Sequence, residues 1–113
     1  MPDAESLDTK LTPLRKGLLE FAVLSVISRR KVYAADILEQ LANTPFTTGE
    51  GSLYPLLSRL KRESCVAYEW AESSAGPPRK YYRLTAEGMQ RLHDLRTYWH
   101  NLYTTLETLG GTS

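Results

Sequence analysis

With 113 residues, 42% of them hydrophobic and 24% charged, the chain can build one modest core and is too apolar for wholesale disorder. Its apolar runs are only a few residues long, which excludes a membrane-spanning helix, and the polar stretch Met1–Lys10 predicts no secretory leader. A net charge of +1 is weak evidence on any nucleic-acid partner, and the lone Cys65, unable to form an internal disulfide, fits a reducing, cytoplasmic address.

Residues 1–11 show no apolar period and are expected to form a mobile arm. Thr12-Pro13 has the form of a helix start, with an N-cap followed by proline at the first helical position. From Gly17 to Ile27 only Glu20 and Ser25 interrupt an apolar series, so this helix must be covered on two faces, the second by another subunit. Arg29-Arg30-Lys31 then places cations at the negative end of the helix dipole. A second helix is expected over Ala34 to Leu41, with Ala34, Ile37, Leu38 and Leu41 on one face; Asn43-Thr44-Pro45 ends it.

The third helix is expected to begin at Thr47 or Thr48, because Thr47 and Glu50 have capping-box spacing. Leu53, Leu56, Leu57 and Leu60 form its core face, and Thr48, Gly51, Ser52, Pro55, Ser58, Arg59 and Arg62 fall opposite. Pro55 requires either a kink or a regular helix that starts only at Ser52. Val66–Trp70 and Lys80–Leu84 read as two strands joined by a loop over 73–78, with Trp70 and one of Tyr81 and Tyr82 in the core. Thr85 caps a last helix whose Leu92, Leu95, Trp99, Leu102, Leu106 and Leu109 form a heptad seam that needs a partner helix. The fold class is therefore mainly α with a small β-hairpin wing. A winged helix-turn-helix domain over 12–85 is followed by a dimerisation helix over 86–109 and a frayed tail over 110–113.

Charge is concentrated where these elements suit DNA. Between Ser52 and Arg83, six basic residues stand against three acidic ones. Thr48 and Ser52 can approach bases or phosphates, and Arg59 and Arg62 suit phosphate neutralisation. On the wing, Arg79 suits entry into a narrow groove and Lys80 a phosphate; the competing role is an ion pair with Glu69 or Glu72 across the hairpin. Cys65 reads as a small buried hydrophobe. His93 and His100 stand about 10.5 Å apart along one helix, too far to share a metal ion. No catalytic set, cofactor motif or metal spacing is present, which argues against an enzyme.

Three stretches resemble the PadR family of bacterial regulators: Lys16-Gly17-Leu18-Leu19-Glu20, Gly51-Ser52-Leu53-Tyr54-Pro55-Leu56-Leu57-Ser58-Arg59-Leu60, and Gly76-Pro77-Pro78-Arg79-Lys80-Tyr81-Tyr82-Arg83-Leu84-Thr85-Ala86-Glu87-Gly88. The chain departs from the family pattern at Tyr33-Ala34-Ala35-Asp36, where a glycine-tyrosine pair is common, and at Glu63-Ser64-Cys65, where a glycine usually makes the turn. The resemblance implies a dimeric transcription regulator, a repressor on a pseudo-palindromic DNA operator, with Tyr54 offering its hydroxyl to the phosphate backbone. It implies dimerisation through the first and last helices, by Leu18, Phe21, Leu92, Leu95, Trp99, Leu102, Leu106 and Leu109. It also implies a flat aromatic effector between the subunits against Trp99, joined by Tyr98, Tyr103 and Leu18; as a packing knob, Trp99 is worth about 3–5 kcal/mol to the dimer. Two other readings stay open at this point, a small-molecule-sequestering dimer and a winged-helix protein-interaction module without DNA binding.

Overall fold

Leu7, Leu11, Leu14 and Leu18 recur at steps of four, three and four, a helical stripe that begins upstream of Thr12. In the computed structural model, which describes residues 4–73 and 75–111, this stripe lies on one helix, α1 (Ala4–Arg29). The expected start at Thr12 is thus displaced. Pro13 sits inside the helix, and Thr12 accepts a hydrogen bond from Arg15 Nη2 at 3.1 Å. The expected arm over 1–11 is helical from Ala4 onward; residues 1–3, Ser74 of the expected loop and residues 112–113 of the expected tail lie outside the described residues.

The inner face of α1 carries Val23, Leu24 and Ile27, all buried, while Leu18 and Phe21 are half-buried on another side. Ser25 and Ser28 do not break the helix, because their hydroxyls donate back to the carbonyls of Phe21 and Ser25. A two-residue strand, β1 (Val32–Tyr33), leads into α2 (Ala34–Leu41), whose bounds match the expectation. The Asp36 carboxylate accepts the Tyr33 backbone N–H at 2.9 Å and closes the first turn of α2. Asn43, at φ 64°, turns the chain after it.

α3 (Glu50–Arg62) starts at an N-cap glycine, Gly49, with no capping side chain, so the expected Thr47–Glu50 box is absent. The Ser52 and Leu53 N–H groups both donate to the Gly49 carbonyl, a tight first turn. Pro55 is the sixth residue of this helix, beyond the first turn. Leu53, Leu57 and Leu60 are buried as expected, and Leu56 is half-buried toward α1.

The wing is longer than its apolar residues suggested. β2 (Val66–Ser73) and β3 (Gly76–Leu84) pair antiparallel from Val66↔Leu84 to Ser73↔Gly76, with an irregularity between Ala71 and Ser73. Pro77 and Pro78, expected in the loop, belong to β3. β1 adds to the other edge through Val32↔Tyr82 and Tyr33↔Tyr81, giving the strand order β1-β3-β2. Tyr82 is buried and Tyr81 packs its ring 4.6 Å from that of Tyr33, so only one of the tyrosine pair is core.

Thr85 caps α4 (Ala86–Leu109): its hydroxyl oxygen accepts the Gly88 N–H at 3.0 Å and its O–H donates to the Ser64 carbonyl at 2.5 Å. Gly88 lets α4 approach the strand entry closely, since a Cβ there would stand 1.9 Å from the Cys65 carbonyl oxygen. Leu92 is 1% exposed and belongs to the core of its own chain. This corrects its assignment to the dimer seam: the first turns of α4 pack onto the core, and the residues of α4 beyond Leu95 are exposed. None of the described helices is long and apolar enough to cross a membrane.

Candidate nucleic-acid interface

Burying Leu53, Leu57 and Leu60 leaves α3 with a solvent face of Gly51, Ser52, Tyr54, Ser58, Lys61 and Arg62, all exposed. The wing stands beside it. Tyr54 and Ser58 line one wall of a cleft of about 310 Å³, Trp70, Arg79 and Lys80 line the other, and Ala35 at the start of α2 lies at its end.

The cations of this cleft are held by aromatic rings. The Arg79 guanidinium lies 4.0 Å above the Tyr33 ring, and Lys80 Nζ lies 4.4 Å from the Tyr68 ring and 5.6 Å from that of Trp70. Lys61 on α3 reaches the same Tyr68 at 5.9 Å. Glu69, one of the two acids that the competing reading offered as a cross-hairpin partner, pairs with Lys31 at 2.6 Å, which holds the Glu69 carboxyl below its usual range. Among the described residues neither Arg79 nor Lys80 forms an ion pair, so both positive charges remain available at the surface.

Thr48 and Ser52 fall on the other side of the start of α3, where they line a second cleft with Arg15 and Lys16 of α1. Arg62 lies nearby, in a groove between α1 and α3 with Lys16. The site residues expected on the third helix are therefore split between two sides of it, with Tyr54 toward the wing and Thr48, Ser52 and Arg62 toward α1.

Arg59 has a different surrounding. Its Nη2 donates to Glu20 Oε1 at 2.7 Å and its Nη1 to Glu63 Oε1 at 3.2 Å. Arg91 of α4 donates to the same two carboxylates, at 3.1 Å and 2.7 Å. The four side chains close a ring that joins α1, α3 and α4. The hydrogen bond from Arg91, with that from Arg59, keeps the Glu63 carboxyl below its usual range, and the Glu20 carboxylate raises the Arg59 guanidinium. Spacing put Arg59 on the outer face because the wheel registers angle alone; the acid that claims it is 39 positions away.

Trp70 was assigned to the core and is 63% exposed. It pairs with Lys80 across the hairpin, lines the cleft opposite Tyr54 and Ser58 without being covered by them, and touches Tyr68 edge-on at 6.2 Å. Trp70, Ser58 and Tyr33 are among the cleft residues that sequence reasoning did not assign to the site. The available signal was the cross-strand partnership of Trp70 with a lysine expected at the surface.

On the far side of α1, a groove of about 260 Å³ is lined by Leu14, Leu18, Phe21, Tyr98, Trp99 and Leu102, with Leu95 at its floor. The effector-site residues Trp99, Tyr98 and Leu18 meet there, whereas Tyr103 is exposed and not among its lining. Leu102, Leu106 and Leu109 are exposed along the projecting half of α4. Cys65 is buried, and burial pushes its thiol up, as expected for a packing residue. No cluster of three or more metal-ligating side chains occurs among the described residues.

The family profile described as Transcriptional regulator PadR-like family matches residues 23–94. The chain is similar to the PadR-like transcription factor of Bacteroides fragilis, with 40% identity, 89% of this chain and 98% of that one covered, and a TM-score of 0.77. A PadR-like transcriptional regulator from Bacillus cereus is 36% identical over 87% of this chain and 96% of that one, also at TM-score 0.77. A PadR family transcriptional regulator from Eggerthella lenta is 33% identical over 95% and 94%, with a TM-score of 0.84. Since the match runs from the buried face of α1 through the wing into α4, the chain belongs to the PadR-like family of transcriptional regulators, which are DNA-binding proteins and not enzymes.

Proposed function

We propose that the protein is a homodimeric repressor, acting in the cytoplasm, that binds a pseudo-palindromic operator with one α3 in each of two successive major grooves. The observation that carries this reading is the division of the surface. Exposed leucines and aromatics run along α4 and the outer side of α1, and the cations and hydroxyls gather around α3 and the wing. An uncovered apolar row of this length is satisfied by a second copy packed against it, and a two-fold dimer presents its reading helices about one DNA turn, or 34 Å, apart.

In the complex, Ser52 and Tyr54 approach the major-groove edges and the adjoining phosphates, Thr48 and Arg62 neutralise or bond phosphates on the α1 side, and Arg79 and Lys80 hold the flanking strand. Arg59 is left to the ring with Glu20, Glu63 and Arg91, and takes no part in this contact set. A flat aromatic effector, in this reading, enters the groove against Trp99, with Tyr98 and Leu18 beside it, and acts through the angle between the two heads. A gel shift on the chain's own promoter region at two salt concentrations tests the function. Sequence-specific, salt-sensitive retardation is expected, and none at either concentration is the result that favours a sequestering dimer or a protein-interaction module.

A further inference from the structure

The side chains of β2 that face α3 change in burial from the base of the wing to its end. Val66 is buried, Tyr68 is half-buried and Trp70 is 63% exposed. An indole presented to water on a narrow two-stranded ribbon buries little within its own chain. It lines the cleft that holds Tyr54 and Ser58 of α3, on a different part of the molecule from the groove of α1 and α4 that a second copy would cover.

Charge decides the occupant. Lys80, the cross-strand partner of Trp70, lies over the Tyr68 and Trp70 rings, Lys61 reaches toward Tyr68, and Arg79 stands on Tyr33. A surface of aromatic faces interleaved with cations, continuous with the reading helix, complements a sugar-phosphate backbone, in which apolar deoxyribose alternates with phosphate. An acidic peptide would find the charge but not this alternation. The rings also restrict the cations before binding, so less rotamer entropy is lost when a phosphate arrives.

We propose that Trp70 is a further DNA-contacting residue, whose indole packs against deoxyribose of the strand flanking each half-site while Lys80 takes the adjacent phosphate. This rests on the DNA-binding reading above. It adds a contact that carries no charge and so separates affinity from salt dependence at one position. The ring presents apolar area to sugar carbons, releases no counterion, and leaves the slope of log affinity against log salt unchanged.

The test compares Trp70→Ala, Trp70→Phe and Lys80→Ala with the unaltered chain on the operator fragment at several salt concentrations. Trp70→Ala is expected to weaken binding about tenfold, equivalent to about 1.4 kcal/mol, at an unchanged slope. Trp70→Phe recovers most of the loss, and Lys80→Ala lowers the slope by about 0.9. On a duplex trimmed to the two half-sites, the difference between Trp70→Ala and the unaltered chain disappears. In a Trp99→Phe background, the remaining emission from Trp70 changes on addition of operator and saturates with complex formation. Because Trp70 is exposed, Trp70→Ala keeps its unfolding midpoint, which is checked alongside. Operator binding by Trp70→Ala at full strength, a loss that persists on the trimmed duplex, or Trp70 emission unmoved by operator overturns the proposal and leaves the regulator reading standing. Failure of the unaltered chain to bind DNA overturns both.

Discussion

Gly88 is the residue whose side chain, or lack of one, most directly sets how α4 meets the wing. Any Cβ there collides with the Cys65 carbonyl, which is backbone and cannot swing aside. Gly88→Ala is expected to cost about 3 kcal/mol or to prevent folding, although alanine is the better helix former; urea unfolding checks it. Ser64 presents the opposite case. It holds φ at 63°, a left-handed conformation that strains any side chain, at the turn where family members usually place glycine. The tie at this turn runs from the Thr85 hydroxyl to the Ser64 backbone carbonyl and does not use the Ser64 side chain. Ser64→Gly is therefore expected to stabilise the fold by about 0.5–1 kcal/mol, the relief of left-handed strain less the added chain entropy. An unaltered or lowered urea midpoint would show that the neighbouring Cys65 hydrogen bond and packing already absorb the strain.

At the scale of elements, α3 is tied to the body on one side and free on the other. Its ties are the buried leucines and the ring of Glu20, Arg59, Glu63 and Arg91. Glu63 titrates below its ordinary value because Arg91 and Arg59 bond its charged form. A depressed carboxylate contributes stability above its unfolded-chain value and loses it as pH falls through the folded one. The ring therefore weakens as pH falls below the ordinary carboxylate range, and Glu63→Gln flattens that part of the stability profile. A profile with the same acid limb in both proteins would remove the ring from the account. Arg59→Ala is expected to lower stability and leave the salt slope of DNA binding unchanged, whereas Arg62→Ala and Arg79→Ala each lower that slope by about 0.9 at unchanged stability. Titrations at several salt concentrations separate the two behaviours. A slope lowered by Arg59→Ala would move this arginine from the ring to the phosphates.

The whole molecule is elongated, 56 Å in its longest dimension, and the C-terminal half of α4 lies outside the core with its leucines exposed. Its two halves are expected to respond differently to substitution. Leu92→Ala removes a fully buried side chain and costs about 2–5 kcal/mol of folding stability. Leu106→Glu, placed where α4 is exposed, is expected to leave each chain folded and to split the proposed dimer. Sedimentation should then shift from twice the 12.8 kDa chain mass to the single mass, with loss of tight operator binding. A Leu106→Glu protein that stays at twice that mass would place the interface elsewhere.

Much of this fold was legible from residues close together in the chain. The bounds of α2, the inner leucines of α3, the Thr85 cap and the burial of one tyrosine of the pair depend on neighbours two to four positions apart, where periodicity carries the information. Even the early start of α1 was present as the spacing of Leu7, Leu11, Leu14 and Leu18, a signal hidden by the polar residues among them. Tertiary structure decided what covers each face. β1 is two residues long and is a strand only because β3 offers it an edge. Arg59 and Trp70 both depart from their expected surroundings: Arg59 met Glu20 across 39 positions, and Trp70 stands exposed in the cleft it lines with Tyr54 and Ser58. Leu92 and Leu106 share one heptad phase, yet the first is enclosed and the second exposed, because the core reaches Leu92 and Leu95 and ends short of Leu106. A helical period states which side of an element is apolar, and only the packing of distant elements determines whether anything stands against it.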